Sequence, residues 1–266
     1  MAEPVLLCET DARGVATLTF NRPEVNNAYN GDVILGLIET FGRLAGDGAV
    51  QLVVLRGNGR HFQAGADLKW LLQAATLTPE ENLQISRNTT NAVRGLNAFP
   101  KPTIALVHGG CFGGGTGIVA ACDIVIASDD AIFSITEARW GVMAGPIFPQ
   151  LIAAIGEHNV RRYALTCERF GAARAREMGL VDEVCAPGEL DAVAGPVIEA
   201  ILGGGPAALR ETKRLIADVA KLAVDDAAAE ALAVQHALKR QTAEAAEGLR
   251  SFVEKRSPSW YPGSGR

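Results

Sequence analysis

Hydrophobic and polar positions alternate with a period of two in VLLCE (5–9) and VATLTF (15–20), two strand-like runs on either side of the turn DARG (11–14). The period then changes. Val33, Ile34, Leu37, Ile38, Phe41 and Leu44 fall at helical spacing and predict a helix over 31–45, after which QLVVLRG (51–57) returns to a strand pattern. A second helix is predicted over 67–75. Thr78-Pro79-Glu80-Glu81 is a capping box with proline at the first helical position, so a third helix runs from there toward Phe99, where FPKP ends it.

From Pro102 to Cys122 there is no Asp, Glu, Lys or Arg, a length that would span a bilayer. Six glycines (109, 110, 113, 114, 115 and 117) crowd the middle of this stretch and argue against a membrane helix. They favour a buried strand TIALV (103–107), a glycine loop and a short buried helix. DIVIAS (123–128) and AIF (131–133) follow as strands. Beyond Gly156 the pattern is helical, interrupted by one short strand in GLVDEVC (179–185). LGGGP (202–206) is the expected hinge. Past it, 207–222, 225–241 and 247–256 are amphipathic helices, the last stopped at Ser257-Pro258; without strands of their own they must pack on the main body or on another subunit. The reading is therefore α/β, with a body over 1–202 and a helical region over 203–266, and no internal repeat is visible.

Composition narrows the function. A chain of 266 residues, 48% hydrophobic and 21% charged, is long enough for a sizeable core. Its formal charge of −5 does not suit a nucleic-acid binder, which needs a basic face to neutralise phosphates. The five cysteines are scattered with no C-x-x-C, as expected for a reducing compartment, and the four histidines form no zinc-ligand spacing, so no metal site is expected. The N-terminus has an acid before a short apolar run and resembles no targeting signal; the end, GSGR, is no peroxisomal or reticular address; the expectation is a cytoplasmic protein with no membrane partner.

Two junctions carry candidate chemistry. In Ala64-Gly65-Ala66-Asp67-Leu68 and in Phe112-Gly113-Gly114-Gly115 a strand passes through residues without bulky side chains into a helix, which leaves first-turn amides unpaired. If both face one cavity, two amides converge as an oxyanion hole is built. The alternative is that these glycines only permit tight turns. A dinucleotide-binding reading of Gly115, Gly117 and Ala120 (G-x-G-x-x-A) is cramped, because too little chain separates the strand from the next one. No nucleophile elbow and no P-loop occurs, so proton transfer falls to a carboxylate. Glu137, in FSITEARWGV, is the candidate, placed where desolvation would raise its pKa; the alternative is a surface pair with Arg139.

Taken in order, NRPEVNNA (21–28), HFQAGADL (61–68), HGGCFGGGTGIVAACDIVIASDDAIFSITEARWGV (108–142) and EGLRSFVEKRSP (247–258) resemble the enoyl-CoA hydratase/isomerase (crotonase) family across nearly the whole chain. The resemblance implies a spiral of ββα units with C-terminal helices that make trimers or dimers of trimers. It implies acyl-CoA thioester substrates, with CoA part of the substrate and no separate cofactor. The amides of Ala66 and Gly114 would hold the thioester oxygen. Ala64, Asp67, Leu68, Phe112 and Gly113 would line the thioester and pantetheine tunnel, Val25 and Ala28 would contact the nucleotide and pantetheine, and Phe252 and Lys255 would approach the adenine or phosphates. Glu137 matches the second of two catalytic glutamates, and Gly145 a backbone position that holds water. The first glutamate is replaced by Gly117. The run from Glu137 to Phe170 looks most like bacterial hydratases acting on glutaconyl-type CoA esters, whose extra carboxylate would pair with Arg139. The implied activity is hydration of a 2-enoyl-CoA, with Δ3/Δ2-enoyl-CoA isomerisation as the runner-up and a weakly catalytic acyl-CoA-binding protein as a third reading.

Overall fold

The computed structural model describes residues 3–220, 222 and 225–263. The opening hairpin joins β1 (Leu6–Thr10) to β2 (Val15–Phe20) in antiparallel register, Cys8 opposite Leu18. Its turn is built by Asp11, whose Oδ1 accepts from the amides of Arg13 at 2.9 Å and Val15 at 3.0 Å. Asn30 then caps α1 (Gly31–Gly46) by accepting from Val33 N. The predicted stripe buries Val33, Ile34, Leu37, Phe41 and Leu44; Ile38, expected among them, is 37% exposed at the edge of that face.

From β3 (Leu52–Gly57) onward the chain winds. After β3 come α2 (Leu68–Ala74) and α3 (Pro79–Asn97), the latter closed by the reciprocal Thr78–Glu81 capping box. The next turn is β4 (Thr103–Val107), β5 (Gly110–Phe112) and α4 (Gly114–Ala120); the one after is β6 (Ile124–Ser128), β7 (Ile132–Ser134) and α5 (Phe148–Thr166). Each turn adds a parallel strand to two separate sheets: β4 pairs β6 in one, β5 pairs β7 in the other. The larger sheet has the order β1-β2-β3-β4-β6-β9, and the smaller β5-β7-β8, with β8 (Phe170–Gly171) followed by α6 (Ala172–Met178) and β9 (Glu183–Cys185).

The central strands β3, β4 and β6 are buried on both faces, which explains their apolar runs, while β1 and β2 keep the alternation of strands nearer the edge. Alternate residues (Leu18, Val53, Leu55, Ala105, Val107) join α1, α3, α4 and α5 in the main core, while Leu52, Val54, Ile104, Leu106 and Ile126 pack against α7 (Leu190–Gly203). The uncharged stretch 102–122 is thus two buried strands and a buried helix. Its glycine loop contains β5, too short to be seen as a periodic pattern. Helical structure begins earlier than expected, at Phe148, and Gly156, with φ 75° and ψ 153°, kinks α5 into two helical segments, the second of which follows it.

The chain turns by 103° between α7 and α8 (Pro206–Val219), at the expected hinge. Helices α9 (Asp226–Arg240) and α10 (Ala243–Val253) complete the helical region; part of the expected last turn of 207–222 falls outside the described residues. Glu244 caps α8 by accepting from Ala207 N and Ala208 N, both at 2.8 Å, and Lys213 ties α8 to the body through Asp123 at 2.6 Å. Neither α8 nor α9 has a buried residue. Among the described residues no single helix is long and apolar enough to cross a membrane.

Candidate active site

The two glycine-bearing junctions meet. Gln63 pairs with Cys111, with Gln63 N donating to Gly110 O at 3.1 Å and Phe112 N to Gln63 O at 2.9 Å, so the segment after β3 lies alongside β5. Gly65, at φ 88°, comes so close to the second corner that a Cβ there would stand 3.1 Å from Phe112 O and 3.7 Å from Gly113 Cα. The carboxamide of Gln63, fully buried, accepts from Gly65 N at 2.8 Å and fits over Gly115, where a Cβ would meet its Oε1 at 2.5 Å.

Ala66 is bracketed from the other side. Tyr29 N donates to Gly65 O and Asp67 N donates to Tyr29 O, each at 2.8 Å. In such a parallel bridge the opposed residue turns its own N–H away from the partner strand. Ala66 N makes no hydrogen bond among the described residues, nor does Gly114 N at the first position of α4. Gly113, the residue before it, has φ 50° and donates to Ser134 O at 2.8 Å.

Glu137 opens a 3-10 turn (Glu137–Trp140) directly after β7. Its carboxylate lies against the second corner: a Cβ on Gly113 would stand 3.0 Å from Oε1. Oε2 is buried and has no hydrogen-bond partner among the described residues. Burial pushes the carboxyl pKa up, and the nearby amides of Glu137 and Thr136 only partly oppose it. The surface ion pair with Arg139 does not form; Arg139 Nη2 donates instead to Cys167 O at 3.3 Å.

A cavity of about 720 Å³ opens onto all of this. Ala64, Ala66, Leu68, Phe112, Gly113, Gly114, Glu137, Arg139 and Gly145 line it. An apolar extension between α1 and α3 is walled by Ile34, Leu37, Phe41, Val93 and Leu96. Glu137 is the single carboxylate among the described lining residues.

Other candidates lie elsewhere. Asp67 is absent from the wall; it caps α2 by accepting from Lys69 N at 3.0 Å and pairs with Arg22 at 3.1 Å, both side chains 16% exposed. Val25 ends a 3-10 turn and Ala28 is buried, neither on the cavity. Their segment acts as a brace: Asn26 and Asn27 take left-handed φ of 55° and 58°, Asn26 O accepts from Ala64 N, and Asn27 Nδ2 donates to Asn58 O and His61 O. Phe252 is 84% exposed on α10 and Lys255 follows it, and neither lines the cavity. Gly117 is buried inside α4, and a Cβ there would collide with the side chain of Ile147. The dinucleotide reading fails for the same reason, since Gly115 and Gly117 are packed within a helix and offer no open phosphate cradle.

Sequence reasoning missed Tyr29, Trp70, Ile147 and Arg169, all on the wall. None of the four carries a local sequence pattern that points to the cavity. No cluster of His, Cys, Asp or Glu suited to a metal occurs among the described residues.

Comparison with known proteins identifies the class. The enoyl-CoA hydratase/isomerase family model matches residues 10–262, and the chain belongs to that family. The crystal structure of an enoyl-CoA hydratase from Shewanella pealeana is similar at 34% identity and a TM-score of 0.92, over 96% of both chains; the fold is the crotonase spiral. Among curated relatives, the mevalonyl-coenzyme A hydratase of Aspergillus fumigatus is 33% identical over 93% of this chain and 92% of its own. A peroxisomal Δ(3,5)-Δ(2,4)-dienoyl-CoA isomerase of Arabidopsis thaliana is 32% identical over 75% and 76%.

Proposed function

We propose that this protein adds water across the double bond of a 2-enoyl-CoA thioester to give a 3-hydroxyacyl-CoA. The observation that carries the reading is the presence on one cavity of two amides without partners among the described residues, Ala66 N and Gly114 N, and of Glu137, whose buried Oε2 likewise has none. Hydration asks for these parts. As the water oxygen bonds to Cβ, Glu137 takes a water proton and the π electrons move onto the thioester oxygen, where two amide donors stabilise the developing charge. The enolate then collapses, and Cα takes a proton from the carboxylic acid of Glu137, which regenerates the carboxylate. The upward shift of the carboxyl pKa suits a group that must both accept and return a proton. The step balances with substrate and water alone.

A second reading is Δ3/Δ2-enoyl-CoA isomerisation, favoured by Ile147 filling the space at Gly117, so that no second acid faces Glu137. There Glu137 removes a proton from Cα of a 3-enoyl-CoA and returns it to Cγ. Arg139, which lines the cavity and makes no ion pair among the described residues, suits a substrate with a distal carboxylate.

The test is a panel of short, branched and glutaconyl-type enoyl-CoAs followed by mass spectrometry in ¹⁸O water. Loss of conjugated enoyl absorbance with one solvent oxygen gained supports hydration. Gain of conjugation from a 3-enoyl-CoA with no mass change supports isomerisation. Acyl-CoA binding without either product leaves only a binding role.

A further inference from the structure

Tyr29 touches both corners. Its main chain brackets Ala66 through the hydrogen bonds to Gly65 O and from Asp67 N, and its ring lies against Gly114, where a Cβ would stand 2.5 Å from Cε1 and 3.0 Å from Oη. The ring is fixed edge-on to Trp70, centroids 5.9 Å apart. Its hydroxyl lines the cavity and makes no hydrogen bond among the described residues. The hydroxyl stands at the Gly114 corner and shares the cavity with the unpartnered amides of Ala66 and Gly114 and with Glu137, so an acyl oxygen gripped by those amides would lie beside a side-chain donor as well.

We propose that Tyr29 donates a hydrogen bond to the acyl oxygen of the bound thioester and is a third member of its donor set. The proposal rests on the acyl-CoA reading of this cavity and adds a side-chain donor to its two main-chain ones. Burial and the adjacent negative charge of Glu137 both push the phenol pKa upward, so the hydroxyl stays protonated across the working range. A donor made by a side chain can be removed without disturbing the backbone, unlike the two amides.

The experiment uses the full-length protein and compares wild type with Tyr29→Phe on the best-turned-over enoyl-CoA of the panel. Tyr29→Phe keeps the ring against Gly114 and Trp70. The expected result is a kcat lowered about 10- to 100-fold with KM changed less than about threefold. The second readout is the absorbance of enoyl-CoA bound to Glu137→Gln, where donors to the acyl oxygen shift the conjugated band to longer wavelength. Adding Tyr29→Phe should shrink that shift, and site-specific 3-fluorotyrosine at position 29, a stronger donor of nearly the same shape, should enlarge it. A merely structural role would leave the shift unmoved. Turnover lost with an unchanged shift, or wild-type kcat in Tyr29→Phe, overturns the proposal while the proposed function stands. Wild type inactive on every enoyl-CoA tested overturns both.

Discussion

The side chain of Ile147 occupies the volume that a Cβ on Gly117 would need. The glycine and the isoleucine therefore form a matched pair. Gly117→Glu alone should overpack the core and lower stability by about 1–3 kcal/mol or more. Gly117→Glu with Ile147→Ala should recover much of the loss, because the second change empties the space the first requires. Thermal melts of the two single variants and the double variant measure this coupling.

Glu137→Gln should lower turnover by about 10²-fold or more while acyl-CoA binding is retained. Its effect on stability has a definite sign. The folded-state pKa of Glu137 lies above its unfolded value, so the stability it contributes is full below the unfolded pKa and is lost as pH rises through the folded one. Glu137→Gln should thus melt at or above the wild-type temperature at pH 8, and the gap should close on acidification to pH 4. The wild-type rate should fall on its acid limb at a pH above the ordinary glutamate value.

Gly113 combines φ 50° with a carboxylate oxygen 3.0 Å from where a Cβ would sit. Gly113→Ala should strain the corner and push Glu137 aside, with activity down about 10²-fold and a melting point lowered by several degrees. Steady-state kinetics beside a melting curve separate the two effects.

Asp67→Ala removes a helix cap and leaves Arg22 without its carboxylate. The expected cost is about 1–2 kcal/mol, together with a lower kcat, because the main-chain amide at 67, which still donates to Tyr29 O beside Ala66, loses the side-chain bonds to Lys69 N and Arg22 that fix its position. Asp67→Asn keeps the cap and should lose less of both.

Leu249, Phe252 and Val253 stand 63%, 84% and 78% exposed on α10, an apolar face that the described residues leave uncovered. The expected partner is a second and third copy of the chain. Light scattering should give about three or six times the 28.0 kDa protomer mass, and Phe252→Asp with Val253→Asp should reduce it.

The elements that declare themselves locally were legible from the chain. The 33–44 stripe, the Thr78–Glu81 box and the buried run 103–107 depend on neighbours within a few residues, and each appears with little change. The two glycine corners were visible as compositional anomalies. What escaped depends on contacts between turns of the spiral. Strands β5 and β8 have 3 and 2 residues, too few for a period to show. The structural repeat itself is carried by pairings of β4 with β6 and β5 with β7, not by repeated residues. Tyr29 and Ile147 reach the cavity from a loop and a 3-10 turn distant in sequence from what they touch, and nothing in their local pattern announces a destination. Asp67 shows the opposite error, in which a residue within a recognised motif serves the frame of the site and leaves its wall to others.

Gln63 holds one corner with its oxygen and fits the other with the same atom, so a single amide side chain acts as the gauge for the gap between them. Lengthening or shortening that gauge would alter the width of the site without touching any group that meets the substrate. Drift in catalytic efficiency can therefore begin at a position sealed from solvent and ligand alike.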